Sequence, residues 1–176
     1  VAPVHFEIAN ELGLELCKRN ITLIYGGTTV GLMGKLAYAV IKNGGKVIGV
    51  IPQSIKSKGI SHPSLDELIV TKDLRERKAV MDERADAFIA LPGGFGTLEE
   101  TIEALTLKQL QLHKKPIIFL NTHGFYDPLN ILFEHIYHEK FAKTSTRDLY
   151  YLAPDIKSAF SYLDTYQPPT IQTKWF

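Results

Sequence analysis

The chain has 176 residues and a mass of 19.8 kDa, the length of one domain with at most a small appendage. Hydrophobic residues are 45% and charged residues 22% of it, which excludes disorder, collagen-like sequence and a disulfide-rich miniature scaffold. The net charge of +1 gives no global sign of a nucleic-acid or anionic-membrane partner, and no apolar run approaches the ~20 residues of a membrane span. Cys17 is the single cysteine, so no internal disulfide forms, and no Cys/His cluster shows zinc spacing. Its place in an apolar helical pattern reads as a buried structural thiol, and with no targeting segment visible the expected location is cytoplasmic. The chain starts at Val1 rather than Met.

In chain order, short apolar runs alternate with longer amphipathic ones. Residues 5–19 place Phe6, Ala9, Leu12, Leu16 and Cys17 at helical spacing, and Asn20 offers a stop. Residues 21–27 form a β-branched strand ending in Gly26-Gly27. A helix over 31–45 closes on glycine, a strand over 46–52 stops at Pro52, and 53–67 reads as loop. A strand at 67–71 precedes a helix over 73–86, with Asp73 and Glu76 spaced as a capping box. Then come a buried strand into a glycine turn (87–94), a helix (97–113) and the last clear strand (115–121). Helices follow at about 126–142 and 154–164 by the same pattern reading. The expectation is one α/β domain over 1–166, a Rossmann-like doubly wound parallel sheet with helices on both faces, and a tail over 167–176.

Ligands of open parallel sheets bind beyond the carboxyl ends of the strands. Two glycine turns lie at that edge, Gly26-Gly27-Thr28-Thr29-Val30-Gly31-Leu32-Met33-Gly34 and Pro92-Gly93-Gly94-Phe95-Gly96-Thr97. Each can aim bare backbone N–H groups at an anion near a helix N-terminus. One such turn could be mere turn chemistry; two at one edge favour a phosphate-bearing ligand. Neither spells G-x-G-x-x-G, no acid ends the next strand, and the first turn lacks the Gly-Lys-Ser/Thr of a P-loop. Neither NAD nor ATP is supported.

Arg77 with Lys78 opens the helix after 67–71, and Glu100 lies in the first turn of the helix after 87–94. If those strands are neighbours, a guanidinium and a carboxylate meet beside a phosphate cradle. Each has a plainer reading. Thr97-Leu98-Glu99-Glu100 is a capping-box sequence, so Glu100 could serve only to cap. Arg77 could form a surface pair with Asp73 or Glu76. His62 reads as solvated, Tyr25 as core, and the six histidines follow no triad or metal spacing.

Arg77-Lys78 followed by Pro92-Gly93-Gly94-Phe95-Gly96-Thr97-Leu98-Glu99-Glu100, with Gly26-Gly27 and Gly31-Leu32-Met33-Gly34, resembles the Lonely Guy family of cytokinin riboside 5′-monophosphate phosphoribohydrolases. That family long carried the label "possible lysine decarboxylase". The similarity runs from about Pro3 to Ala142 and includes Gln109-Leu110, His113-Lys114-Lys115-Pro116 and Gly124-Phe125-Tyr126-Asp127-Pro128. It implies hydrolysis of the N-glycosidic bond of a cytokinin-type or purine nucleoside 5′-monophosphate, with Arg77 and Glu100 catalytic. Gly26, Gly27, Lys78, Gly93, Gly94, Phe95, Gly96, Thr97, Leu98, Glu99 and Thr106 match substrate-binding positions. No metal or organic cofactor is implied.

Three departures stand out. The family opens with a strand ending in a Phe-Cys-Gly-Ser-Ser-like turn, and the sequence begins just after it; a sheet without that first strand would have a central gap, so the strand is expected among residues preceding Val1. Gly59 stands where relatives often carry a substrate-contacting glutamate three residues before the histidine matching His62. Thr28 replaces the third glycine of the first turn. The rival reading is a non-catalytic nucleotide or molybdenum-cofactor carrier of similar fold; retention of both Arg77 and Glu100 favours the enzyme. The helix at 97–113 carries Leu98, Ile102, Leu105, Leu107, Leu110 and Leu112, too wide an apolar set for one stripe. With the homodimers known among relatives, this surplus leads to an expected homodimer.

Overall fold

The computed structural model describes residues 1–170. Contacts within the chain gather into two compact units, Val1–Ala85 and Asp86 onward. The first contains α1 (Pro3–Lys18), β1 (Leu23–Tyr25), α2 (Gly31–Lys42), β2 (Val47–Pro52), the single-turn α3 (Gln53–Lys56), β3 (Glu67–Thr71) and α4 (Leu74–Arg84). Its strands pair in parallel in the order β1-β2-β3, with Tyr25 opposite Gly49 and Val50 opposite Ile69. Every residue of β2 is buried, as a parallel strand covered on both faces must be. α2 and α4 pack on β2, and α1 packs on α2. That helix pair approaches closely at Gly13, where a Cβ would stand 2.7 Å from Cβ of Ala39.

The second unit contains β4 (Phe88–Ala90), α5 (Phe95–Gln109), β5 (Ile117–Leu120), α6 (Asp127–His138), β6 (Tyr151–Ala153) and α7 (Ile156–Thr165), with 3₁₀ turns at Thr122–Gly124 and Thr144–Leu149. Its order is β4-β5-β6, again parallel, and β5 is wholly buried. Phe119 of β5 meets Tyr126 and Tyr150 edge-on at 5.1 and 5.8 Å between ring centroids, the favourable aromatic geometry. The hydroxyl of Tyr126 donates to the Leu91 carbonyl at 2.6 Å, so this buried ring satisfies its polar end at the close of β4. Lys108 is also buried at 2% exposure. Its Nζ donates to the Leu149 carbonyl at 2.7 Å and sits 5.0 Å from the Tyr166 ring centroid, and burial lowers its pKa to about 8.

The α/β class and parallel pairing agree with the sequence. The strands, however, pair as two three-stranded sheets, and β1 and β4 each have one hydrogen-bonded neighbour. β6 was not expected, because three residues between a 3₁₀ turn and Asp155 are too short to show a period. α5 and α6 end four residues before the expected 113 and 142. In each, a non-glycine residue takes a left-handed conformation, Gln111 at φ 63° and Lys140 at φ 62°. The next N–H then bonds back across the turn, Leu112 to Leu107 at 3.0 Å and Phe141 to Ile136 at 3.0 Å. The expected stops at Asn20 and at the glycines after α2 use the same device.

Leu98, Ile102 and Leu105, half of the apolar set at 98–112, pack against the core of the second unit. Leu110 and Leu112 remain exposed, the latter at 69%. Of the expected tail, 167–170 carries no regular structure and 171–176 lies outside the described residues. Among the described residues no helix is long and apolar enough to cross a membrane. Cys17 is only half-buried and donates weakly to the Val40 carbonyl at 3.4 Å, rather than lying fully in the core.

Candidate active site

The first glycine turn follows β1 directly, at the carboxyl end of its sheet. Gly27 has φ 73°, a conformation that favours glycine, and a Cβ there would press on Ile51 at 3.3 Å. Gly26 has a different reason to lack a side chain. A Cβ on it would stand 3.0 Å from Nη2 of Arg77 and 3.2 Å from Sδ of Met33. The guanidinium therefore rests against the bare backbone of the turn.

Arg77 reaches that place from the second turn of α4, which starts firmly. Asp73 caps it by accepting from the Glu76 N–H at 2.8 Å, and Glu76 accepts from the Lys72 N–H at 2.7 Å. This is the expected capping box, with the return bond falling one residue earlier. Arg77 is 9% exposed, so the surface-pair reading is corrected: the residue is buried at the turn. Lys78, on the same helix, is half-buried.

A short antiparallel bridge between Thr28 and Ser61 ties the following loop to this turn. Its companions are the Thr29 N–H to the Ile60 carbonyl and the His62 N–H to the Gly27 carbonyl, both 3.0 Å. His62 is thus half-buried rather than solvated, and its Nδ1 accepts from the Ser64 N–H at 3.2 Å. Gly59 has φ 71°, so a glutamate at that position would be strained. Tyr25 is buried as expected, which raises its pKa to about 12.

In the second unit, α5 begins at Phe95 with Gly94 as its N-cap and no capping side chain. This corrects two expectations. Thr97 is the third helical residue instead of the cap, and Glu100 lies in the second turn instead of the first. The Thr97–Glu100 capping box does not exist, because the helix starts two residues earlier than its sequence signature suggested. The first intrahelical bond of α5 runs from the Leu98 N–H to the Gly94 carbonyl at 3.1 Å, so the N–H groups of Phe95, Gly96 and Thr97 have no acceptor within the helix, the arrangement that suits an anion.

The glycines of this turn differ in purpose. A Cβ on Gly93 would collide with the Thr97 side chain, so that position is closed by packing. A Cβ on Gly94 or Gly96 would meet nothing within 4 Å, and neither has a positive φ. Neither the space around these positions nor their backbone conformation demands glycine. Phe95 is 92% exposed between them. Leu98 packs into the core, Glu99 is exposed, Glu100 is half-buried, and Thr106 is exposed with its hydroxyl bonded to the Ile102 carbonyl at 2.8 Å.

The structure brings Arg77 to Gly26 and gathers Gly93 to Glu100 at one helix start. β3, which precedes the helix of Arg77, pairs with β2, and β4, which precedes the helix of Glu100, pairs with β5, each within its own unit. Sequence reasoning missed the seating of Arg77 on Gly26, for which the sequence holds no signal. It also missed the buried Lys108, hidden among the apolar residues of α5.

Parallel strands followed by glycine turns, one holding a buried arginine and one an uncapped helix start, define an α/β protein of the nucleotide-binding type of architecture. The chain belongs to the Lonely Guy family: residues 33–163 match the family profile described as "Possible lysine decarboxylase". It is 44% identical over 165 residues to the probable cytokinin riboside 5′-monophosphate phosphoribohydrolase LOGL2 of Oryza sativa subsp. japonica, covering 94% of this chain and 68% of that protein. It is 42% identical over 162 residues to cytokinin riboside 5′-monophosphate phosphoribohydrolase LOG1 of Arabidopsis thaliana, covering 92% and 76%. Among solved structures, the molybdenum cofactor binding protein of Rippkaea orientalis superposes with a TM-score of 0.71 at 22% identity, over 94% of this chain and 89% of that one. The molybdenum cofactor carrier protein of Chlamydomonas reinhardtii gives 0.68 at 23%, over 93% and 88%. These two likenesses establish the fold alone.

Proposed function

We propose that this chain hydrolyses the N-glycosidic bond of a nucleoside 5′-monophosphate of cytokinin or purine type, yielding free base and ribose 5-phosphate. The observation that carries the reading is the burial of the Arg77 guanidinium against Gly26, where a surface ion pair would have left it outside. The identity of 40 to 44% with phosphoribohydrolases over most of the chain supports it. In the reaction the bond from ribose C1′ to the base nitrogen breaks, its electron pair leaves with the base, and water adds at C1′. The water's proton ends on the base. Glu100 stabilises the cationic ribosyl centre while water attacks. The N–H groups at the start of α5 hold the 5′-phosphate, so phosphate binding positions the bond to be cleaved. Arg77 clamps phosphate or ribose oxygens with its planar fork, and Lys78 adds positive charge. The chemistry uses no metal or organic cofactor, and the protein acts in the cytoplasm as a homodimer, to which the exposed Leu110 and Leu112 lend support.

Incubation of purified protein with AMP and with isopentenyladenosine monophosphate, followed by measurement of released base, tests the reading. Release of base with equimolar ribose 5-phosphate is the expected result. Tight nucleotide binding without base release would instead favour the carrier reading, which rests on fold likeness. Light scattering at micromolar concentration tests the assembly, and an active particle of about 20 kDa would overturn it.

A further inference from the structure

The last turn of α6 gathers three side chains that the proposed hydrolysis does not use. His135, His138 and Glu139 are all exposed, and one ligand atom from each lies within 4.8 Å of the other two. Their spacing of i, i+3 and i+4 puts them on one helix face. His138 and Glu139 already meet, Nδ1 to Oε1 at 2.8 Å.

The backbone beneath them is fixed. The Glu139 N–H bonds the His135 carbonyl at 2.9 Å, and the Lys140 and Phe141 N–H groups close the helix end on Tyr137 and Ile136. Only side-chain rotation separates the trio from a coordinating arrangement, since tetrahedral zinc at about 2.0–2.2 Å from each ligand needs donor atoms only ~3.4 Å apart. The negative end of the helix dipole also favours a cation there. The nearby Glu134 is engaged elsewhere, by Arg147.

We propose that His135, His138 and Glu139 form a surface site for one divalent transition-metal cation of the zinc class, with three protein ligands and an open position for water. Two imidazoles and one carboxylate suit zinc, copper or nickel, whereas magnesium takes an all-oxygen shell. Sequence reading by zinc-finger spacing passes over it, because the ligands sit within one helical turn.

The test is calorimetric titration of the purified, untagged chain with Zn²⁺ alone, beside Mg²⁺ as control. One equivalent of Zn²⁺ should bind and Mg²⁺ should not. His135→Ala and His138→Ala, both at exposed positions, should each weaken zinc binding by about tenfold or more while leaving base release unchanged. Glu139→Gln should weaken it as well. Absence of stoichiometric zinc binding would overturn the proposal, as would binding that survives both histidine substitutions.

Discussion

The sharpest consequence of the site geometry concerns Gly26. Gly26→Ala places a methyl group 3.0 Å from Nη2 of Arg77 and 3.2 Å from Sδ of Met33, so each must yield by a few tenths of an ångström. Both are far ends of flexible side chains, which puts the stability cost at the low end of the ~1–3 kcal/mol range for overpacking. A cost near 1 kcal/mol lowers Tm by about 2–4 °C in a chain of this length. The kinetic cost should be larger in proportion. A misplacement of about 1 Å can cost ~100-fold in rate. A shift of a few tenths should then cost roughly tenfold in kcat/KM, about 1.4 kcal/mol of transition-state stabilisation.

The assay is base release from the preferred monophosphate, with Gly13→Ala as the companion variant. That change strains the α1–α2 contact, where Cβ of Ala39 lies 2.7 Å away, but touches no candidate site residue. It should lower Tm without lowering kcat/KM. A folded Gly26→Ala protein with parental kcat/KM would show that the seat of Arg77 is not used in the reaction.

Other expectations are as specific. Glu100→Gln should abolish base release while the monophosphate still binds, and an active variant would remove Glu100 from the chemistry. Arg77→Lys should lower kcat/KM strongly, because an ammonium cannot replace the guanidinium fork; parental kinetics would refute the assigned role. Gly94→Ala and Gly96→Ala should leave Tm unchanged and raise KM, whereas Gly93→Ala should destabilise through its clash with Thr97; equal Tm losses at all three would refute the distinction. Stability should also vary with pH. Lys108 has a folded pKa of about 8 against an ordinary value of 10.5, so the unfolded chain binds more protons between them. Stability therefore rises from pH 8 to 10, and that gain is lost again as pH falls back from 10 to 8. Above pH 10 the buried Tyr25 and the half-buried Tyr166, with pKa values raised to about 12, reverse the trend. Urea unfolding at several pH values measures this, and Lys108→Met should flatten the rise between pH 8 and 10.

Much of this protein is decided locally. The alternation of β-branched runs with amphipathic segments is set by side-chain period and propensity, so the parallel α/β class and most elements follow from residue order. Asp73 and Asn20 act through backbone groups a few residues away, and their cap and stop are likewise legible.

What the order of residues left open depends on partners distant in sequence. α5 starts at Phe95 rather than Thr97, so the Thr97–Glu100 spacing misled: a capping signature specifies a start only where tertiary packing allows one. Gly94 and Gly96 stand apart from Gly93 only once the space around each Cβ is known. The division of the strands between two sheets rests on pairing, which carries no signature in any one strand. Lys108 becomes a buried cation because the Leu149 carbonyl, 41 residues away, accepts its hydrogen bond. Arg77 reads as a surface residue of a charged helix until Gly26, 51 positions earlier, leaves room for it; only the folded chain brings the two together.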